Sequence, residues 1–395
     1  MIFKKGGKYH VVWHGITEAC SGYGESNNLM VKTLLASTKV VPHSIYEGEN
    51  LSVGITNSPA MFGMLEQLPT PYTVMMTMFE TDKWPQDWVN ACNCANQVWV
   101  PSSWCKESLL ASGCESPVSV VPIGIDDTIY KPAPEPKAES STFTIGYAGA
   151  WSLRKGSDLL VKAFLEEFGN SDDVRLLVQS SSILSSTIPT DSRITVFAER
   201  RTTDEMADFY RSLDLFVMPT RGEGLGLTPL EAMACGVCSA VTDWGGSTDY
   251  LGDHSLRIAI DGLESCGGYH GSAGKWAKPS IASIRYCMRW AYEHREDVRR
   301  MGEESAEYVR KNWSIQSTAK QIEKLVSKID PKERVQIESK EVVVWHGDPM
   351  KVIVPGVGGF TRAIPRGDLT PAQLDRINFE DGRFRLEKRY SRKKT

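Results

Sequence analysis

From Tyr9 onward the chain repeats one unit: a short apolar run, a turn, then a longer segment of helical character. In the first part, apolar runs at residues 9–13, 40–43, 53–56, 72–78, 97–100 and 118–121 are expected as strands, with helices over 25–37, 58–66, 86–94 and 102–112. Gly113 and the proline-rich stretch 131–136 then supply a stop and a linker. A second alternating run has strands expected at 143–148, 174–179, 194–197, 215–218 and 237–241, and helices at 156–168, 203–212 and 229–235. Apolar strands separated by helices of about 10–15 residues indicate βαβ units and parallel sheets. Two such blocks around a linker near residue 135 predict two doubly wound α/β domains, residues 1–135 and 136–312. Longer polar helices follow at about 281–294, 297–312 and 315–329, and after Pro331 the pattern turns β-like at 341–345 and 351–354.

Composition narrows the class. In 395 residues, 41% are hydrophobic and 24% charged, which excludes collagen, coiled coil and wholesale disorder. No apolar stretch reaches the roughly 18 residues of a membrane span. The start, Met1 to Gly6, turns polar too early for a signal peptide, and nine cysteines without framework spacing suit reduced thiols. The expectation is a cytoplasmic protein, soluble or peripheral. The net charge of −4 hides an asymmetry: residues 331–395 carry 14 Lys/Arg against 9 Asp/Glu, and the rest 31 against 40.

The strongest chemical signal is Gly222-Glu223-Gly224-Leu225-Gly226-Leu227-Thr228-Pro229-Leu230-Glu231, continued by Ala232-Met233-Ala234-Cys235-Gly236. It follows an expected strand and opens an expected helix. Glycines there let backbone N–H groups approach an anion, and the helix N-terminus favours negative charge. A diphosphate held by Gly224, Leu225, Gly226, Leu227 and Thr228 fits that chemistry. Glu231, just over one turn into the helix, suits the vicinal hydroxyls of a ribose. Glu223, in the loop, is placed to meet the sugar on the diphosphate.

At this string the sequence resembles retaining glycosyltransferases of the GT-B fold, specifically glycosyltransferase family 4, with two glutamates separated by seven intervening residues before Ala-Met-Ala-Cys-Gly. The stretch Gly146 to Leu160 resembles the family's first donor-domain strand, loop and helix. The resemblance implies that Lys155 binds the donor diphosphate and offsets charge on the departing nucleotide. The family's arginine after the glycine matching Gly149 is replaced by Ala150, so either Arg154 reaches the phosphates instead or the donor chemistry is weakened. The segment 241–249 resembles the family's next strand and loop, and Asp243 suits a ligand or a plain turn equally.

The amino-terminal half is similar to the family's acceptor side. His14 ends the first strand, and Gly22, Tyr23 and Gly24 lead into a helix facing the interdomain cleft. The resemblance implies donor contacts for Gly22 and Gly24 and acceptor-side positions for His14, Tyr23 and Glu80. Many relatives place a histidine near Phe79-Glu80; its absence leaves Glu80 as a substitute, or as a structural ion-pair partner. Residues 78–85, 99–104 and 121–126 are also similar to family members. Trp313-Ser314 fits the segment that crosses back, so 313–330 is expected to return to the first domain, and 331–395 to form a β-like extension with a basic tail.

The implied activity is transfer of a sugar from a nucleotide sugar to an acceptor hydroxyl with retention of configuration. Lys155, Glu223 and Glu80 are its catalytic candidates. No cofactor beyond the nucleotide sugar is implied. Cys92 and Cys94 lack a second pair at metal-ligand spacing and no Asp-x-Asp occurs, so no metal is expected. A nucleotide-sugar epimerase and a non-catalytic nucleotide-sugar-binding module share the fold. The acceptor stays open between glycan, lipid and small molecule, as does the oligomeric state. Arg383, Arg385, Lys388, Arg389, Arg392, Lys393 and Lys394 against Glu387 add a further option, a hydroxylated base in viral DNA. The last dozen residues are expected to be mobile.

Overall fold

The computed structural model describes residues 25–38, 72–135, 140–170, 172–180 and 190–329 with their side chains. Elsewhere it describes the backbone of the helix start at 22–24 and of the strands named below.

The first sheet contains β1 (Lys4–Lys5), β2 (Lys8–His14), β3 (Val40–His43), β4 (Val53–Thr56), β5 (Tyr72–Met76), β6 (Gln97–Val100) and β7 (Val118–Val120). Strands pair in parallel in the order β3-β2-β4-β5-β6-β7, with β1 antiparallel beside β2. The helices Gly22–Ala36, Gln86–Asn93 and Ser103–Ala111 connect them. The helix expected at 58–66 lies outside the described residues.

The second sheet is built from β8 (Phe143–Ala148), β9 (Val174–Gln179), β10 (Ile194–Phe197), β11 (Leu215–Met218), β12 (Cys238–Thr242) and β13 (Leu256–Ile258), all parallel, in the order β10-β9-β8-β11-β12-β13. Every residue of β8, β11 and β12 is buried, as required of central strands covered on both faces. The helices Ser157–Glu167, Thr203–Arg211 and Leu227–Ala234 follow individual strands, and Ile281–Glu293 and Arg295–Asn312 complete the cover. Local sequence sets the ends: Thr202 and Glu205 make a reciprocal capping box at the Thr203–Arg211 helix.

In the second sheet the direction of strand addition reverses between β8 and β11. Outside the carboxyl ends of the strands at such a reversal is the usual ligand position in sheets of this kind. The β8 loop carries Arg154 and Lys155; the β11 loop carries the segment 219–226.

The chain crosses between the sheets twice, side by side. Ile125 forms a parallel bridge with Ser314, its N–H donating to Trp313 O at 2.7 Å and its carbonyl accepting from Ile315 N at 3.0 Å. The helix Ile315–Val326 then packs on Gly22–Ala36, and Glu323 accepts from Ser37 Oγ, Thr38 N and Thr38 Oγ1. Gly124 is required here: a Cβ on it would stand 2.7 Å from Ile315 Cα. Gly124→Ala is therefore expected to push the crossings apart and cost about 1–3 kcal/mol, read as a lowered urea midpoint. An unchanged midpoint would show that the two strands can separate freely.

Sequence periodicity missed several features, the short strands β1 and β13 among them. A hairpin of β14 (Ile260–Ser265) and β15 (Lys275–Pro279) stands apart from the six-stranded sheet. Beyond residue 331 the strands are β16 (Ile337–Trp345), β17 (Ile353–Val354), β18 (Gly358–Gly359), β19 (Ala363–Pro365) and β20 (Phe384–Arg392). The expectation of a mobile last dozen residues is corrected. β20 pairs antiparallel with β16 along its length, from Trp345 opposite Phe384 to Ile337 opposite Arg392, and lies beside the Gln86–Asn93 helix. Phe384, Leu386 and Tyr390 recur at even positions among the charges, a period-two strand pattern that the basic composition conceals.

Candidate active site

The β8 loop returns to its helix through Gly156, which holds a left-handed φ of 72° and lies against the carbonyl of Pro219 at the end of β11. No side chain fits there, so the two loops pack backbone to backbone. Arg221 fastens them further. Its guanidinium makes two 2.9 Å bonds to Asp158, one of 2.9 Å to Glu264, and donates to the carbonyl of Leu153.

Between these loops lies a buried cluster of four charges. Lys155 Nζ is 2.7 Å and Arg154 Nη1 3.2 Å from Glu223 Oε1. Arg154 Nη1 also donates to Gly222 O at 2.6 Å, and its Nη2 is 3.8 Å from Glu80 Oε1, reaching across to the first domain. Thr220 Oγ1 donates to Glu223 at 3.1 Å. Burial alone would push the Glu223 carboxyl up, but Lys155 and Arg154 outweigh it and hold it below the usual value. Burial pulls the Lys155 ammonium down against Glu223's pull upward. Glu80 goes the other way. Burial raises its carboxyl and Glu223 adds to that, over the downward pulls of Arg154, Lys155 and His270. The cluster thus pairs two cations with one firmly ionised carboxylate and one that takes a proton more readily.

The next segment presents backbone to the crevice. Gly226 caps the Leu227–Ala234 helix with φ 88°, its carbonyl accepting from Tyr250 Oη at 3.1 Å. The first N–H groups of such a helix have no partner within it and point toward the crevice end. Gly224 O accepts from Ser102 Oγ of the first domain at 2.7 Å. Leu225 is buried, Leu227 and Thr228 are partly exposed, and Thr228 Oγ1 contacts Met218 Sδ at 3.3 Å. Glu231 is enclosed: Tyr210 Oη donates to its Oε2 at 2.8 Å, and the Tyr130 hydroxyl acts on it from nearby. Burial raises its carboxyl to about 7, against the downward effect of the two tyrosines and with a further push from Glu25.

On the first-domain side, β2 ends at His14, and Gly22, Tyr23 and Gly24 form the start of the Gly22–Ala36 helix; the side chains of His14 and Tyr23 lie outside the described residues. Glu80 is the described first-domain residue that meets the cluster, and it does so as an ion-pair partner of Arg154. Asp243 instead pairs with Arg257 at 2.6 Å at the surface. Sequence reasoning missed Thr220, Arg221, Tyr210 and Tyr130, which serve the candidate residues from distant positions. It also missed Tyr269, over whose ring Arg154 sits at 5.8 Å, and His270. Among the described residues, no group of three or more His, Cys, Asp and Glu is placed to hold a metal, and no helix is long and apolar enough to cross a membrane. The eight described cysteines are buried and form no disulfide.

Residues 142–264 match the family described as Glycosyl transferases group 1. Over 161 residues the chain is 29% identical to D-inositol 3-phosphate glycosyltransferase of Arthrobacter sp. (strain FB24), covering 37% of this chain and 38% of that one. Over 62 residues it is 52% identical to the lipopolysaccharide core biosynthesis mannosyltransferase LpsB of Rhizobium meliloti (strain 1021), 15% of this chain and 18% of that one. The first of these matches spans about two-fifths of its relative's length. Among solved structures, sucrose-phosphate synthase from Thermosynechococcus elongatus superposes with a TM-score of 0.64 at 13% identity, over 81% of this chain and 98% of that one. HepE of Anabaena in complex with UDP-glucose gives 0.62 at 11%, over 81% and 100%. The fold they share with this chain is GT-B.

Proposed function

We propose, from a chain whose residues 142–264 match glycosyl transferases group 1 and whose two sheets make a GT-B fold, that it is a glycosyltransferase using a nucleotide-sugar donor and retaining configuration. The observation that carries this reading is the convergence of Arg154, Lys155 and Glu223 on one crevice, at the carboxyl ends of β8 and β11 and beside a helix N-terminus. Two buried cations plus backbone donors suit a diphosphate. An ammonium has three donor positions, so Lys155 can hold Glu223 and a phosphate oxygen together. The donor bound by HepE, UDP-glucose, is the first donor to try.

In the reaction, the bond from the sugar's anomeric carbon to the diphosphate oxygen breaks, and its electron pair stays on that oxygen. The acceptor hydroxyl oxygen bonds to the anomeric carbon from the same face, and its proton passes to the departing phosphate. Lys155 and Arg154 offset the charge developing on the leaving group, and the Gly224–Thr228 backbone steadies the diphosphate. Arg154 takes the part that Ala150 cannot. Glu231 holds the ribose diol, Glu223 faces the transferred sugar, and Glu80 stands where the acceptor side meets the cluster. His14 and Tyr23, with Gly22 and Gly24, belong to the first-domain wall of the cleft.

Incubation with a panel of nucleotide sugars tests the reading. Nucleoside diphosphate release with sugar transfer supports it; epimerised donor, or binding without turnover, defeats it. Leaving-group stabilisation by Lys155 and Arg154 needs no metal, so activity is expected to persist in excess EDTA. Complete loss, restored by Mn²⁺ or Mg²⁺, would reverse that assignment.

A further inference from the structure

The hairpin β14–β15 belongs by sequence to the second domain but is fastened to the first. Lys275 N donates to Asp82 Oδ1 at 2.6 Å, and Asp82 N to Lys275 O at 3.3 Å. Ser272 Oγ donates to Lys83 O and lies 3.0 Å from Thr81 Oγ1. These bonds set the hairpin tip over residues 79–84, beside the charge cluster. The tip has positive φ at Gly267, Gly268, His270 and Gly271, and His270 is the one described non-glycine residue with positive φ. Glycine is the least costly occupant of such a position. The chain instead keeps an exposed imidazole there, 4.3 Å from Tyr269 and 6.4 Å from both Phe79 and Trp88 between ring centroids. Tyr269 in turn lies under Arg154. The indole N–H of Trp276, on the same hairpin, is buried without a hydrogen-bond partner, and its ring edge adjoins Gly222. Buried donors of this kind are rarely left unmade without a reason.

We propose that this hairpin is the acceptor-recognition arm of the enzyme, with His270 as its specificity-determining side chain, taking a hydroxyl of a polyhydroxylated ring laid beside Tyr269 and Trp88. The inference rests on the glycosyltransferase reading. The imidazole can donate or accept toward a hydroxyl, and the aromatic rings offer faces and edges to the ring's C–H groups.

Two substitutions separate the side chain from the backbone. His270→Gly keeps the left-handed conformation and removes the imidazole, while His270→Asn keeps both that conformation and a hydrogen-bonding group. With UDP-glucose as donor and methyl hexopyranosides and myo-inositol as acceptor probes, His270→Gly should raise the acceptor KM roughly tenfold, the loss of one hydrogen bond, while UDP affinity stays unchanged. His270→Asn should recover part of that loss. An unchanged acceptor KM in His270→Gly, or a parallel loss of UDP affinity, overturns the inference. So does a native enzyme that hydrolyses the donor but transfers to none of these probes. Failure of the native chain to bind any nucleotide sugar would instead defeat the underlying function.

Discussion

Replacing Lys155 by alanine is expected to lower turnover with a nucleotide sugar by about 10²–10³, with a smaller loss of nucleotide affinity. The ammonium is buried 2.7 Å from Glu223, where screening by water is weak and a charge acts strongly on its neighbours. In the ground state Glu223 already compensates it. As the diphosphate departs it gains negative charge, so the ammonium is worth more in the transition state than before it, and kcat should suffer more than KM. The variant should still fold, because Glu223 keeps Arg154 and Thr220 as partners. Glu223→Gln provides the opposite test. It removes the carboxylate that competes with phosphate for both cations, so nucleoside diphosphate should bind more tightly while transfer falls. Steady-state rates with coupled detection of the released nucleotide, together with calorimetric affinities, check both. Turnover of Lys155→Ala within a few-fold of the native chain would remove Lys155 from the mechanism.

Much of that crevice was legible in the sequence because its signals are local. Strands β8, β9, β10 and β11 fall on the runs their apolar periodicity predicts, and Gly156 and Gly226 mark turns that need left-handed backbone. Lys155 and Glu223 could be singled out by resemblance, each within a few residues of a glycine-rich turn. What the sequence could not convey is that they bind each other. Their separation along the chain is bridged only by the β8–β11 pairing, which periodicity does not encode.

The partners of the candidate residues were hidden for the same reason. Tyr130 lies just before the linker and Tyr210 on a helix, yet both converge on Glu231. Arg221 reads as a polar residue before a glycine, and only the folded loops show it holding Asp158 and Glu264. The β14–β15 hairpin escaped because β14 is mostly exposed and the buried residues of β15 do not alternate. Its contribution comes from contacts with residues 81–83, nearly two hundred positions earlier. In β20 the pattern was present but outweighed by charge. Removing residues 383–395 would therefore take away a strand along with the basic side chains, and charge-neutralising substitutions are the cleaner probe of any polyanion contact.

Glu231 leads to the second large effect, in stability against pH. Its carboxyl titrates near 4.5 in an ordinary setting and, raised by burial, at about 7 in the folded chain. Between those values the native state holds a proton that the unfolded state has released. The contribution to stability is therefore complete below about pH 4.5, declines as pH rises toward 7, and is gone above it. That interval corresponds to about 3 kcal/mol. Glu231→Gln removes the titration, so the decline between pH 5 and 7 should flatten and the variant should match or exceed native stability at pH 8. Urea unfolding across that range decides it; an undiminished slope would assign the pH dependence to other groups. The same residue gives an opposite sign for ligand binding. Ribose hydroxyls donate best to an ionised carboxylate, so nucleotide affinity should increase with pH up to about 7 and binding should release a proton. Glu231→Gln should lose both features, and it should weaken discrimination between UDP and its 2′-deoxy analogue. If the variant binds the two nucleotides as the native chain does, Glu231 is a core carboxylate held by Tyr130 and Tyr210 and takes no part in donor recognition.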